Sequence, residues 1–149
     1  MSTNAASTEA GSTEAGSTGV LLDRIEITDL FSRLNRLLDE KRWDDAHTVF
    51  DRDISVSSPR NGELNGIDEL VALMREAENP DELTQHVTTD LLVDLDGDKA
   101  TTSANSVTHF FRAGEAPHRT AGLRLDGVVV RTPDGWRLRE SRTTLLWMR

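Results

Sequence analysis

Cysteine and tyrosine are both missing from the 149 residues. The first absence excludes disulfide frameworks, thiolate zinc sites, iron–sulfur clusters and cysteine nucleophiles. The second removes the phenol as an acid or a hydrogen-bond donor. Chemistry must therefore use carboxylate, imidazole, hydroxyl or backbone groups. Basic residues are also scarce, with 17 Lys and Arg against 26 Asp and Glu and a formal net charge of −9. The phosphate attraction that drives nucleic-acid binding lacks its usual source, so neither nucleic acid nor an anionic membrane surface is an expected partner. No apolar run approaches the roughly 20 residues that span a bilayer, and the length suits one domain on the usual prior of roughly 100 to 200 residues.

What is present divides at about residue 19. From Ala6 the sequence reads ASTEAGSTEAGSTG, a polar near-repeat with nothing to bury against its ordering entropy. Residues 1–19 are expected to be a disordered tail and 20–149 the domain. The start also lacks the basic and apolar segments of a secretory signal, which predicts a cytoplasmic protein. The tail carries only Glu9 and Glu14 of the acidic residues, so the acidic excess belongs to the domain.

Ile27, Leu30, Phe31, Leu34, Leu37 and Leu38 recur at helical spacing and predict an amphipathic helix. Trp43, Ala46, Val49 and Phe50 suggest a short second helix, and residues 54–57 look extended before a turn at Pro59, Asn61 and Gly62. Helical spacing resumes with Ile67, Leu70, Val71 and Met74. Beyond Pro80 four extended runs are predicted at 83–95, 100–112, 119–131 and 136–147, paired as hairpins across Asp96-Gly97-Asp98 and Thr132-Pro133-Asp134-Gly135. Helices first and an antiparallel meander afterwards give an α+β fold, with the helices on one face of a curved sheet. In the last run Trp136 and Leu138 share one parity and Leu145 and Trp147 the other, so a β-bulge is expected near residues 140–144.

The segment Asp94-Leu95-Asp96-Gly97-Asp98 has the wrong glycine and glutamate positions for a calcium loop and reads as a turn. Among the histidines, His118 beside Pro117 and His47 among Asp44, Asp45 and Thr48 read as surface residues. His86 and His109 differ, because antiparallel pairing about the Asp96-Gly97 turn brings position 86 near 107–109. Parity opposes this. Leu83, Val87, Leu91, Val93 and Leu95 define an apolar face, and His86 falls on the other one with Thr84, Thr88 and Asp90 unless the strand is irregular. Asp39 ends the first helix, where the dipole disfavours an anion. A carboxylate there is either a surface residue or one that acts as a base or orients a histidine.

Taken in order, ITDLFSRLNRLLDEKRWDDAHTVF, GIDELVALM, TQHVTTDLLVDLDGDKATTSANSVTHFFR and DGWRLRESRTTLLW resemble the SnoaL-like branch of the nuclear transport factor 2-like superfamily, over residues from about 23 to 148. The resemblance implies a cone-shaped α+β fold, its curved antiparallel sheet wrapped around the N-terminal helices and an apolar pocket. Similar members include scytalone dehydratase, polyketide cyclases, steroid isomerases and non-catalytic binding proteins, so fold alone does not fix function.

By resemblance to the dehydratases, Asp39 and His86 correspond to an acid–base dyad and His109, more loosely, to a second pocket histidine. Leu34, Trp43, Asn105, Phe111 and Trp147 are the expected substrate-binding residues. The family's tyrosine, five residues before the aspartate, is here Leu34. Any substitute donor must then be a residue such as Asn105, Thr108 or Ser141, or a water. The expected activity is that of a lyase, isomerase or cyclase on a hydrophobic polyketide- or steroid-like molecule, needing no cofactor or metal. The alternative is a non-catalytic ligand-binding or oligomerising module. Association as a homodimer or homotrimer through the sheet is a further expectation from the resemblance.

Overall fold

The structure, a computed structural model, describes residues 7–149. Helix α1 (Ser7–Asp39) buries Ile27, Leu30, Phe31, Leu34 and Leu37, the stripe that the spacing predicts. It also starts earlier than composition suggests, taking in residues of the expected tail from Ser7 onward, while residues 1–6 of that tail lie outside the described residues. Residues 16–20 are exposed. Helix propagation outward from the packed stripe accounts for these exposed residues without burial.

The end of α1 is sharply defined. Arg42 N–H donates to Leu37 O at 3.0 Å and Lys41 N–H to Leu38 O at 3.4 Å, with Lys41 in the left-handed region at φ 54°. These paired bonds make a Schellman stop, which leaves Asp39 in the last helical turn. A short 3₁₀ helix (Trp43–Thr48) leads into strands β1 (Phe50–Ser58) and β2 (Gly62–Asn65), then α2 (Ile67–Glu76). Gly66, at φ 89°, makes the turn into α2 and donates to Ile54 O at 2.7 Å. A side chain would be strained in that conformation.

Strands β3 (Leu83–Asp96), β4 (Lys99–Phe111), β5 (Arg119–Thr132) and β6 (Gly135–Met148) form the expected meander. The sheet order is β2-β1-β6-β5-β4-β3, with α1 packed against β3 and β6. One feature departs from a purely antiparallel sheet: β1 pairs with β6 in parallel, and β2 continues that edge. The sheet is therefore mixed. Parallel neighbours cannot be joined by a tight turn, and here the whole of the intervening chain makes the connection, so no local sequence signal announced the pairing.

Bulges decide which residues face the helices. In β3, Asp90 and Leu91 together oppose a single β4 position, because Thr89 pairs with Asn105 and Leu92 with Ser103. Asp90 sits at φ 55°, a conformation that aspartate tolerates better than most residues. The extra residue switches the parity of the strand. Leu91, Val93 and Leu95 pack on the core after it, whereas His86 and Thr88 face the helices before it. Likewise in β6 Arg139 is the extra residue between Leu138 and Glu140, one position before the window expected from sequence. A second bulge lies at Leu146, between Leu145 and Trp147, and the sequence pattern does not predict it.

At the hairpin ends the helix is held by a polar clasp. Asp23 accepts from the Trp136 indole at 3.1 Å and from Arg131 at 2.6 Å, and the Arg131 guanidinium lies 4.7 Å from the Trp136 ring centre. The Arg131 hydrogen bond holds the Asp23 carboxyl below the usual carboxylate range; partial burial opposes it and the Trp136 bond assists. A lowered folded-state pKa contributes stability that is present above the unfolded value near 4 and lost as pH falls through the folded one. Asp23→Asn should therefore melt below the native protein at pH 7, and the difference should shrink as thermal denaturation is repeated toward pH 3.

Candidate active site

The same C-terminal turn of α1 that the dipole makes poor for an anion supplies Asp39 with three donors from β3. Thr84 Oγ1 donates to Asp39 Oδ1 at 3.0 Å, and the His86 backbone N–H reaches both carboxylate oxygens at 3.1 and 3.0 Å. His86 Nδ1 lies 2.6 Å from Asp39 Oδ1. Hydrogen bonds of this number and kind offset the unfavourable dipole. Both side chains are about four-fifths buried, at 19% and 20% exposure. With the carboxylate as acceptor, the ring proton belongs on Nδ1, which leaves the Nε2 lone pair free.

His86 forms part of the wall of a cavity of about 210 Å³ between α1, α2 and the inner face of the sheet. Leu34 and Leu38 of α1, Leu70, Leu73 and Met74 of α2, and Leu123, Leu125 and Leu138 of the sheet make most of it apolar. Polar groups enter at a few points: His86 itself, Asn35, Ser106, Ser141 and Thr143 among them. A concave, mostly apolar space with a small number of polar groups is the usual form of a small-molecule site. A larger, open groove of about 510 Å³ crosses the opposite sheet face between Ser55, Thr101 and Arg142. It contains neither the dyad nor an apolar floor, and we place the candidate site in the smaller cavity.

Other expected site residues lie elsewhere. The register pairs His86 with Thr108, so His109, one residue further along, points to the outer face, where its Nδ1 lies 3.1 Å from Thr120 Oγ1. It cannot complete a constellation with His86, because neighbours along a strand alternate faces. Asn105 is on that outer face too. It donates to Asp90 Oδ2 at 2.9 Å and so braces the bulge that turns His86 inward. Trp43 donates to Glu78 Oε2 at 3.2 Å, at the far end of the helical layer. Phe111 ends β4 opposite Leu83, on the outer face, and is absent from the cavity wall.

Trp147 is 48% exposed and lies over Gly122, where any β-carbon would collide with its ring. The bulge at Leu146 carries it to the outer face, reversing the expectation drawn from parity. Of the expected binding residues, Leu34 lines the cavity. Ser141, named as a possible donor, lines it as well; Thr108 is buried beside it, its hydroxyl without a partner among the described residues. His118 and His47 have surface partners, Glu82 Oε2 at 2.9 Å and Asp44 O at 3.2 Å. Among the described residues no three His, Asp or Glu side chains converge as a metal-ligand set, and no helix is long and apolar enough to cross a membrane.

Helices cupped by a bulged, mixed sheet around an apolar cavity with an Asp–His pair define a nuclear transport factor 2-like protein. More narrowly, the chain belongs to the SnoaL-like domain family, whose model matches residues 19–142. An uncharacterized protein of Mycobacterium tuberculosis is 28% identical over 118 residues, covering 78% of this chain and 80% of that one. Among solved structures, an NTF2-like protein with a cystatin-like fold from Novosphingobium aromaticivorans is 26% identical with a TM-score of 0.76, covering 91% of this chain and 89% of its own. A hexachlorocyclohexane dehydrochlorinase from Novosphingobium barchaimii shares the fold at 14% identity, with a TM-score of 0.77 and coverage of 89% and 92%.

Proposed function

We propose that this protein is a small-molecule lyase or isomerase that removes a proton from carbon beside a carbonyl group, with His86 as general base and Asp39 as its orienting partner. The observation that carries the reading is the 2.6 Å contact between His86 Nδ1 and Asp39 Oδ1 at the wall of an apolar cavity. In the first step Nε2 takes the proton, and the C–H electron pair moves to the carbonyl oxygen as an enolate. The charge left on the imidazolium is opposed by Asp39. The proton then goes to a leaving hydroxyl, expelling water as the C–O bond breaks, or to a different carbon, giving an isomer. In a cyclisation it would instead go to the alkoxide formed when the enolate carbon attacks a second carbonyl.

Cavity size narrows the substrate. An apolar cavity of about 150 Å³ accommodates benzene, so about 210 Å³ suits a molecule of one or two rings better than a four-ring steroid skeleton. Shared fold with a protein whose name states an elimination, the dehydrochlorinase, is compatible with a lyase. The test is incubation with a panel of one- and two-ring β-hydroxy ketones, following the new conjugated absorbance. Catalysed elimination or double-bond migration in at least one compound is expected; ligands that bind without any reaction would favour the non-catalytic module.

A further inference from the structure

We infer that Asn35 is the hydrogen-bond donor that receives the substrate's oxygen, the function for which this chain has no tyrosine. Asn35 lies one helical turn before Asp39, so both project from the same side of α1. Thr88, two residues after His86 and on the same face of β3, donates its hydroxyl to Asn35 Oδ1 at 3.1 Å. The amide oxygen is thereby committed to the sheet. Its NH₂ group, with two donors, has no protein acceptor among the described residues, and Asn35 lines the same apolar cavity as His86.

An amide held in this way presents N–H groups and no acceptor to the bound molecule. That polarity matches a carbonyl oxygen and matches it better as negative charge develops on it. The pairs Asp39–His86 and Asn35–Thr88 run side by side between α1 and β3, giving the cavity wall a base at one level and a donor at the next. The ligand class that fits is a compact ring compound with a carbonyl or enolate oxygen next to its acidic carbon. This assignment rests on the proposed carbon-acid chemistry, but it can be tested by binding alone.

The probe is 4-nitrophenol, whose phenolate mimics an enolate oxygen and reports its surroundings by absorbance, with 4-nitrotoluene as a control of similar shape that lacks the oxygen. Asn35→Leu should weaken phenolate binding by roughly tenfold to a hundredfold, the range for hydrogen bonds to charged groups, and abolish the absorbance shift. Binding of 4-nitrotoluene should be unchanged. Thr88→Val keeps the side-chain shape but frees the amide to rotate, and should give a smaller loss in the same direction.

Equal weakening of both probes would mean that Asn35 only shapes the cavity, and unaltered phenolate binding in both variants would equally overturn the assignment. So would failure of the native protein to bind the phenolate. His86→Ala should leave the effect of Asn35 on the phenolate in place. A failure of the base role would therefore appear in turnover and a failure of the donor role in phenolate binding.

Discussion

His86→Ala is expected to lower kcat/KM for any substrate found by roughly 10²- to 10⁴-fold, the contribution of a positioned general base, while leaving ligand affinity nearly unchanged. Both halves follow from the geometry. The imidazole supplies the one ring nitrogen in the cavity whose lone pair is uncommitted, so no neighbouring group can replace it as a base. Yet its loss leaves Asp39 with the backbone N–H of residue 86 and the Thr84 hydroxyl as donors, which keeps the end of α1 joined to β3. Most of the remaining wall is apolar, leucines above all, and these side chains supply most of the contact with an apolar ligand. Steady-state kinetics beside calorimetric binding would separate the two quantities.

The second large effect is expected of Asp39→Asn. The amide is nearly isosteric, but it can no longer accept from every donor around it. If its NH₂ faces His86 Nδ1, that nitrogen must become the acceptor and the ring proton moves to Nε2, where the base lone pair was. A wrong tautomer at an otherwise intact histidine costs about 10⁴ in rate in the Ser-His-Asp triad of serine proteases, and a loss in the range of roughly 10² to 10⁴ is expected here. Stability should change in two opposing ways. Removing an anion from a helix C-terminus gains roughly 0.3–1 kcal/mol, while losing charge-assisted hydrogen bonds costs roughly 1.5–3 kcal/mol. A net destabilisation of about 1–2 kcal/mol should show in denaturant unfolding. The Asp39→Glu variant tests the geometric part: it keeps the charge but displaces it, and should restore stability more than rate.

Much of this architecture was legible in the chain. The α1 stripe and the two long hairpins follow from spacing and turn residues, because each is a local pattern. Asp39 and His86 could be paired by resemblance, yet strand alternation argued against it. The bulge at Asp90 resolves that conflict, and its only sequence trace is an aspartate where the Leu91, Val93, Leu95 alternation begins. Asn105 shows a related ambiguity: a polar residue in a strand can serve a cavity or a bulge, and register decides which. His109 shows the same sensitivity, since one residue of offset reverses its face. The parallel β1–β6 pairing joins segments too distant for any local rule.

Asn35 is inconspicuous in the sequence because asparagine in mid-helix reads as surface decoration. Its spacing of four from Asp39, matched by the spacing of two between His86 and Thr88, was the available signal. That signal has meaning only once α1 and β3 are known to run side by side. Functional residues of this kind are set by the contact between elements more than by the elements themselves.

The central claim is that His86, oriented by Asp39, takes a proton from carbon. It is tested most directly by exchange in deuterated water: a cavity ligand bearing an acidic C–H beside a carbonyl is incubated with the native protein and with His86→Ala, and loss of that proton's signal is followed by NMR. Fast exchange in the native protein, reduced by roughly 10²-fold or more in the variant at equal ligand occupancy, is the expected result. Equal exchange rates in the two proteins, with the ligand bound in both, would contradict it.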